Sequence, residues 1–186
     1  MDNAIETIKV NKDTVIEIHQ DQFSESPRDD SFGKMVCFSK RDELPHEADY
    51  RIEDYNGWEA MEKAIVENEK VTVILPVYMI DHSGLAFNTT GFGCPWDSGQ
   101  VGFIFVSKKE VEENFGKGKG NIEKAKKILV DEVETYSKWS KGEVYGYVVK
   151  KACPNCGHYE EVAGESCWGF YGMDDAIEAG KETVGV

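Results

Sequence analysis

The spacing of apolar and polar residues predicts strands and helices along the whole chain. Strict alternation in "DTVIEIHQ" (13–20) predicts a strand, and "KMVCFSK" (34–40) predicts a second, shorter one. The segment between them, "DQFSESPRDDSFG" (21–33), is typical of a long, exposed, acidic loop because it combines proline, glycine and clustered serine and aspartate. Apolar residues at helical spacing in "WEAMEKAIVENE" (58–69) predict a helix, with Asn56 as its N-cap.

The middle of the chain predicts three further strands. "KVTVILPVYMI" (70–80) is nearly all apolar, as a central buried strand would be, and "DHSG" (81–84) is typical of a type I turn. "LAFNTT" (85–90) then predicts a return strand, and "VGFIFVS" (101–107) predicts a third. A three-stranded antiparallel meander is the simplest assembly of these segments.

After residue 107 we expect two helices, a hairpin and a last helix. "KKEVEENFG" predicts a short helix, and "NIEKAKKILVDEVETYSKWSKG" predicts a long one. The apolar stripe of the long helix comprises Ile122, Ala125, Leu129, Val133, Tyr136 and Trp139. "EVYGYVVKKA" and "YEEVAGESCWGFYG" predict a hairpin with "CPNCGH" at its tip, before a helix at "MDDAIEAGKE". The expected fold is α+β: one mainly antiparallel sheet with helices packed on it, in a single domain of residues 1–186.

Charge is the most informative bulk property. The chain has 35 acidic and 21 basic residues, a net charge of −14. Residues 1–70 hold 18 acidic and 9 basic residues, so this part carries −9 of the total. Such a surface repels nucleic acid and attracts a basic protein groove, although the same charge would also serve solubility alone.

The location of the protein follows from three features of the sequence. The first residues lack the basic and apolar regions of a signal peptide, and the longest apolar run covers only ten residues, "VTVILPVYMI". Five cysteines, an odd number, favour reduced thiols. These features predict a cytoplasmic protein.

The stretch "GFGCPWDSGQ" (91–100) raises the question of catalysis. Cys94 would be the nucleophile and His82 its base, but residues 71–107 contain no Lys or Arg that would activate the thiol, and no helix begins there. Neighbouring Ser83 and His82 do not form a hydrolase motif either. We therefore interpret Cys94 and Trp96 as core residues. The alternative, a small hydrolase or nuclease, requires Asp81, His82, Cys94 and Asp97 to converge in one pocket.

The motif "CPNCGH" is typical of a zinc knuckle, in which two thiolates face one metal and Gly157 permits the sharp turn. Structural zinc takes four ligands. Cys167 follows His158 by nine residues and could reach back across the hairpin, which gives the candidate set Cys153, Cys156, His158 and Cys167. The alternative is a turn without metal. No cofactor is required, and zinc would stabilise the hairpin without a catalytic role.

Residues 71–172 resemble a family of small acidic proteins from phages, prophages and plasmids. The resemblance lies in "LPVYMIDHSG", "CPWDSGQVGFIFVSKKEV", "GEVYGYVV" and "SCWGFYG". It implies an anti-CRISPR inhibitor of a type II effector nuclease, and it supplies no catalytic motif. Residues 1–70 lie outside this resemblance, so they are the part of the chain that is more specific to this protein.

Charge and resemblance together predict a DNA mimic that occupies a basic channel of an RNA-guided nuclease and acts without turnover. The candidate partner-binding residues are Asp21, Glu25, Asp29, Asp30, Asp42, Glu43, Glu47, Asp49, Glu53 and Asp54. We expect no direct binding to nucleic acid or membrane. Two other hypotheses stay open: the hydrolase or nuclease named above, and a zinc-stapled structural or regulatory protein of a mobile element.

Overall fold

A computed structural model describes residues 4–82 and 84–186, so Ser83 of the expected "DHSG" turn lies outside the described residues. The elements are β1 (Glu6–Lys9), β2 (Thr14–Gln20), β3 (Lys34–Cys37), α1 (Trp58–Glu69), β4 (Val71–Asp81), β5 (Leu85–Asn88), β6 (Ser98–Ser107), α2 (Lys108–Phe115), α3 (Asn121–Ser140), β7 (Val144–Ala152), β8 (Tyr159–Tyr171) and α4 (Met173–Val184). The α+β prediction is confirmed. The described strands form two antiparallel four-stranded sheets rather than the single sheet expected.

The chain divides into two compact units, which we name the discontinuous unit (residues 1–25 and 138–186) and the central unit (residues 26–137). The expectation of a single domain stays a prediction beside this division. No helix within residues 4–82 and 84–186 is long and apolar enough to cross a membrane.

The discontinuous unit contains a sheet in the order β1-β2-β7-β8. The alternation expected from "DTVIEIHQ" places Ile16 and Ile18 on one face of β2, where both are fully buried. They pack with Tyr147 and Val149 of β7 and with Ala176 of α4. The predicted hairpin is formed by β7 and β8, and the predicted last helix begins after Gly172.

The central unit contains a sheet in the order β3-β6-β4-β5, so the expected meander is wrong. A meander would place β5 in the middle, whereas β4 pairs with β5 on one side and with β6 on the other. The connection from residue 89 to residue 97 is long enough to carry the chain past the end of β4. The inner position suits β6 because residues 101–106 are all buried.

Helices cover the central sheet. Met61 and Ile65 of α1 are fully buried against Val36, Phe103 and Phe105, and burial of each side chain stabilises the fold by about 1.5–3 kcal/mol. The helix begins after Gly57, whose φ of +87° suits glycine, so the expected Asn56 cap is wrong.

The predicted stripe of α3 is largely confirmed, because Ala125, Leu129, Val133 and Tyr136 are buried. Two members of the stripe are not buried: Ile122 has 52% of its surface exposed, and Trp139 is half-buried. The place of Ile122 in the first turn of the helix explains its exposure.

Candidate interaction surface

A buried arginine organises the loop between β2 and β3. Arg28 is 9% exposed and donates two hydrogen bonds to the Glu47 carboxylate, at 2.9 and 2.8 Å. It also donates to Glu132 of α3, at 3.2 Å, and to the Gly33 carbonyl. The two carboxylates outweigh the desolvation of the guanidinium and raise the pKa of Arg28. The composition of the loop predicted that it would be exposed along its whole length. The Arg28 network instead anchors part of it to the fold.

The same network gives two carboxylates an internal role. Glu132 accepts hydrogen bonds from the backbone N–H groups of Phe32 and Gly33, and Glu47 accepts one from Met35 at 2.7 Å. Glu47 was among the predicted partner contacts, but its oxygens are occupied by Arg28 and Met35. Its contact with a partner stays a prediction, and the Arg28 network, which sequence reasoning did not identify, gives Glu47 a structural role as well.

The other nine predicted partner contacts lie at the surface. None of them forms an ion pair within the described residues, whereas Glu47 does. Asp42 accepts a hydrogen bond from the Ser39 hydroxyl at 2.9 Å, and Asp21 accepts one from the Phe23 N–H. The exposed members are Glu25, Asp29, Asp30, Glu43, Asp49, Glu53 and Asp54, and Asp21 and Asp42 are half-buried. Each unpaired carboxylate keeps its charge available for an external cation.

Part of this acidic surface borders an apolar groove in the central unit. The groove has a volume of about 520 Å³, and Phe38, Leu44, Ile52 and Trp58 form its apolar walls. Asp42 and Glu43 also line it. Glu53 and Asp54 follow Ile52 directly in a single 3-10 turn. An apolar centre beside charged residues is the usual anatomy of a protein-binding site.

Aromatic packing holds the walls of this groove in place. The ring of Trp58 lies 5.9 Å from that of the buried Phe103, in an edge-to-face arrangement, and 6.3 Å from that of Phe38. Phe38 in turn packs edge-to-face on His46, at 5.0 Å. Such pairs stabilise a fixed arrangement of rings, so the groove is largely preformed. The segment of residues 41–57 supplies Leu44 and Ile52 to it.

The stretch "GFGCPWDSGQ" is not a core segment. Trp96 is 92% exposed and Cys94 is only half-buried, so the interpretation of both as core residues is wrong. Hydrogen bonds nevertheless fix this connection: Asn88 accepts from the N–H groups of Thr90 and Gly91, and Ser98 donates to the Cys94 carbonyl. A large aromatic ring on a restrained loop is typical of a binding contact.

The groups that a hydrolase would need meet partly at this loop. Asp97 Oδ2 lies 3.6 Å from the Cys94 sulfur and 3.7 Å from His82 Nδ1. His82 and Asp97 are both substantially exposed, with 75% and 46% of their side-chain surface accessible. The carboxylate thus stands between thiol and imidazole, whereas nucleophilic catalysis requires the imidazole next to the thiol. In this arrangement the Asp97 carboxylate can orient the imidazole of His82 and hold the loop of residues 91–100 closed.

Truncation of Trp96 should leave stability almost unchanged. We expect Trp96→Ala to alter the free energy of unfolding by no more than about 0.5 kcal/mol, because its exposed ring buries little surface. Trp58→Ala is the matched control, and it should cost several times more because that ring packs on Phe103. Urea unfolding of both variants measures the difference. Equal losses would show that Trp96 packs in the folded protein.

The hairpin tip brings two of the predicted zinc ligands together. The N–H groups of Asn155 and Cys156 donate to the Cys153 sulfur, the Cys156 thiol also bonds to it, and these hydrogen bonds lower the pKa of Cys153. Gly157 has a φ of +73°, as the predicted turn requires. The tip is closed by hydrogen bonds from Cys153 N–H to the His158 carbonyl and from Gly157 N–H to the Cys153 carbonyl, both 2.8 Å.

Cys167 does not lie at this tip. It pairs with Tyr147, six residues before Cys153 on β7, which corresponds to roughly 20 Å of extended chain. The expected reach of Cys167 across the hairpin is therefore wrong. Within residues 4–82 and 84–186, no group of three or more His, Cys, Asp or Glu side chains is arranged to hold a metal ion.

The fifth cysteine, Cys37, is 3% exposed at the end of β3, and burial raises its pKa from 9.0 to about 12. Because the folded pKa is the higher one, the stability gained from keeping this thiol neutral is complete below about pH 9. It is lost as pH rises toward 12. We expect the unfolding free energy of the parent to fall across this window more than that of Cys37→Ala, as measured by urea unfolding. Identical pH profiles would contradict the assignment.

The same burial should protect Cys37 from alkylation. At pH 8, iodoacetamide should modify the other four cysteines of the native protein and should reach Cys37 only after unfolding. Peptide mass spectrometry identifies the modified positions. Rapid native modification of Cys37 would show that β3 opens readily.

Sequence reasoning missed the Arg28 network, the apolar groove and the exposure of Trp96. The available signal for the Arg28 network was a single arginine in an acidic loop. No local pattern indicated the apolar groove or the exposure of Trp96. The chain matches no protein-family model, and it is similar to no curated protein and no solved structure.

Proposed function

We propose that the protein is an anti-CRISPR inhibitor that binds a basic nucleic-acid-binding surface of a guide-loaded type II effector nuclease. The resemblance of residues 71–172 to small acidic phage and plasmid proteins implies this class of partner. The observation that carries the proposal is the set of nine surface carboxylates without internal ion pairs. Charges that are not neutralised within the fold are available to the basic side chains of a partner.

The mechanism requires only occupancy. An RNA-guided nuclease holds nucleic acid in positively charged channels and reads a short duplex motif with basic side chains. Carboxylates that replace phosphates release the same counterions that DNA would release. The inhibitor thus competes with target DNA and is not consumed.

The apolar groove supports a location for this electrostatic contact. We assign to it an apolar side chain of the nuclease that is flanked by Lys or Arg, because Phe38 and Leu44 form apolar walls while Asp42 and Glu43 supply charge. Apolar burial would provide affinity, and the carboxylates would accelerate encounter and select a basic partner. The remaining carboxylates would act mainly on the association rate.

The test uses three double variants of the central unit. They are Asp29→Asn with Asp30→Asn, Asp42→Asn with Glu43→Gln, and Glu53→Gln with Asp54→Asn. Asp131→Asn with Glu134→Gln is the matched control, because both residues are exposed and neither belongs to the predicted set. Binding to the guide-loaded nuclease and cleavage of target DNA are measured for each.

A further inference from the structure

The tip of the β7–β8 hairpin holds two cysteines within a single turn. The Cys153 carbonyl accepts a hydrogen bond from the Gly157 N–H at 2.8 Å, so residues 153–157 form one α-turn. Gly157 ends this turn with a φ of +73°, a conformation that suits glycine. In a helical turn, Cα atoms three residues apart are separated by about 5 Å. Cys153 and Cys156 have this spacing, which lies within the range of about 4.4–6.8 Å that a disulfide requires.

The neighbouring strands hold the turn in place. Pairing of β7 with β8 continues to Ala152 and Tyr159, and the Cys153 N–H donates to the His158 carbonyl at 2.8 Å. The Tyr159 hydroxyl also donates to the Lys12 carbonyl, at 3.2 Å, which ties the base of the tip to the β1–β2 connection. Because the backbone is already ordered, each of the two thiols meets the other at a high effective concentration.

The pair is accessible to a small reagent. Cys156 is exposed, and the half-buried Cys153 lines a cavity of about 710 Å³ within the discontinuous unit. This volume is in the range of small-molecule sites. Cys167 is exposed on the same hairpin but pairs with Tyr147, several residues away from the tip. It therefore does not compete for either thiol of the turn.

We propose that Cys153 and Cys156 form a reversible intramolecular disulfide by exchange with a low-molecular-weight disulfide such as glutathione disulfide. One cysteine thiolate attacks a sulfur of the small disulfide, forms a mixed disulfide and releases one small thiol. The second cysteine thiolate then attacks the protein sulfur of that mixed disulfide and releases the other small thiol. Two protein thiols are oxidised to one disulfide, one small disulfide is reduced to two small thiols, and the two protons pass to these products.

The tip would thus respond to the thiol–disulfide balance around the protein. An excess of small thiols keeps the pair reduced, and an excess of small disulfides closes it. Two independent surface thiols would behave differently, because each would keep the small thiol as a mixed disulfide. The fate of the mixed disulfide therefore distinguishes a dithiol site from two incidental cysteines.

The experiment equilibrates the reduced, full-length protein with mixtures of reduced and oxidised glutathione. The reaction is quenched with acid, free thiols are alkylated, and peptides are mapped by mass spectrometry. The peptide that contains Cys153 and Cys156 should lose two hydrogen atoms and carry no glutathione. Cys167 should carry a glutathione adduct in the same sample, because its position on the hairpin is away from the turn. Dithiothreitol should reverse both changes.

Two variants test the pairing. Cys156→Ser removes the second thiol, so Cys153 should keep its glutathione adduct as Cys167 does. Cys167→Ser should close the 153–156 disulfide as the parent does. The melting temperature of each reduced variant should match that of the parent, because both altered residues are exposed. Stable glutathione adducts on both Cys153 and Cys156 of the parent would overturn the proposal. Disulfides between chains or to Cys167, or no modification of the pair, would overturn it as well.

Discussion

Replacing Arg28 with alanine is expected to lower the free energy of unfolding by about 3–5 kcal/mol. The change leaves the carboxylates of Glu47 and Glu132 without the cation that both of them bind. This loss is costly because their side chains are only 27% and 17% exposed. It also removes the donor to the Gly33 carbonyl, which fixes the end of the loop before β3. The lower stability should appear in equilibrium unfolding as a lower urea concentration at the midpoint.

Arg51→Ala is the matched control for this variant. Arg51 is exposed and forms no ion pair within the described residues, so its loss should change the unfolding free energy by no more than about 0.5 kcal/mol. Arg28→Lys should fall between the two, because it keeps the charge but not the paired hydrogen bonds to Glu47. Equal stabilities of Arg28→Ala and Arg51→Ala would contradict the structural role of the network.

The second large effect is expected in partner binding. Asp42→Asn with Glu43→Gln should weaken binding to the guide-loaded nuclease at least about tenfold, a change of about 1.4 kcal/mol, because both residues border the groove. The other two pairs should act more weakly and mainly slow association, as charges at the rim of an interface do. The Asp131 and Glu134 control should bind like the parent. Equal binding by all four variants would exclude these carboxylates from the interface.

Much of the fold follows from local pattern. β2 and α3 carry strong periodicity, and β4 carries a continuous apolar run, so each of these segments predicts its own element wherever it lies in the fold. Strand order escaped prediction because it depends on long-range pairing: β4 binds both β5 and β6, which no local signal encodes. The predicted meander assumed that consecutive strands are neighbours.

The candidate surface was less accessible to sequence reasoning. Composition identified the acidic residues but could not separate Glu47, which Arg28 binds, from Asp49, which stays exposed. Trp96 was misplaced because a tryptophan between proline and aspartate has no periodic context that reports burial. The cysteine motif did predict the turn at residues 153–158, since Pro154 and Gly157 impose its geometry through the backbone itself.

A competition assay with a guide-loaded type II nuclease tests the proposed inhibition most directly. Labelled target DNA and the protein are offered together, at ionic strengths below and above about 0.15 M, where the Debye length is about 8 Å. We expect the protein to displace DNA and block cleavage, association to slow as salt rises, and neutralisation of Asp42 and Glu43 to weaken competition. Failure to bind any such nuclease would contradict the inhibitor assignment, and inhibition indifferent to salt and to all three double variants would contradict the acidic-surface mechanism.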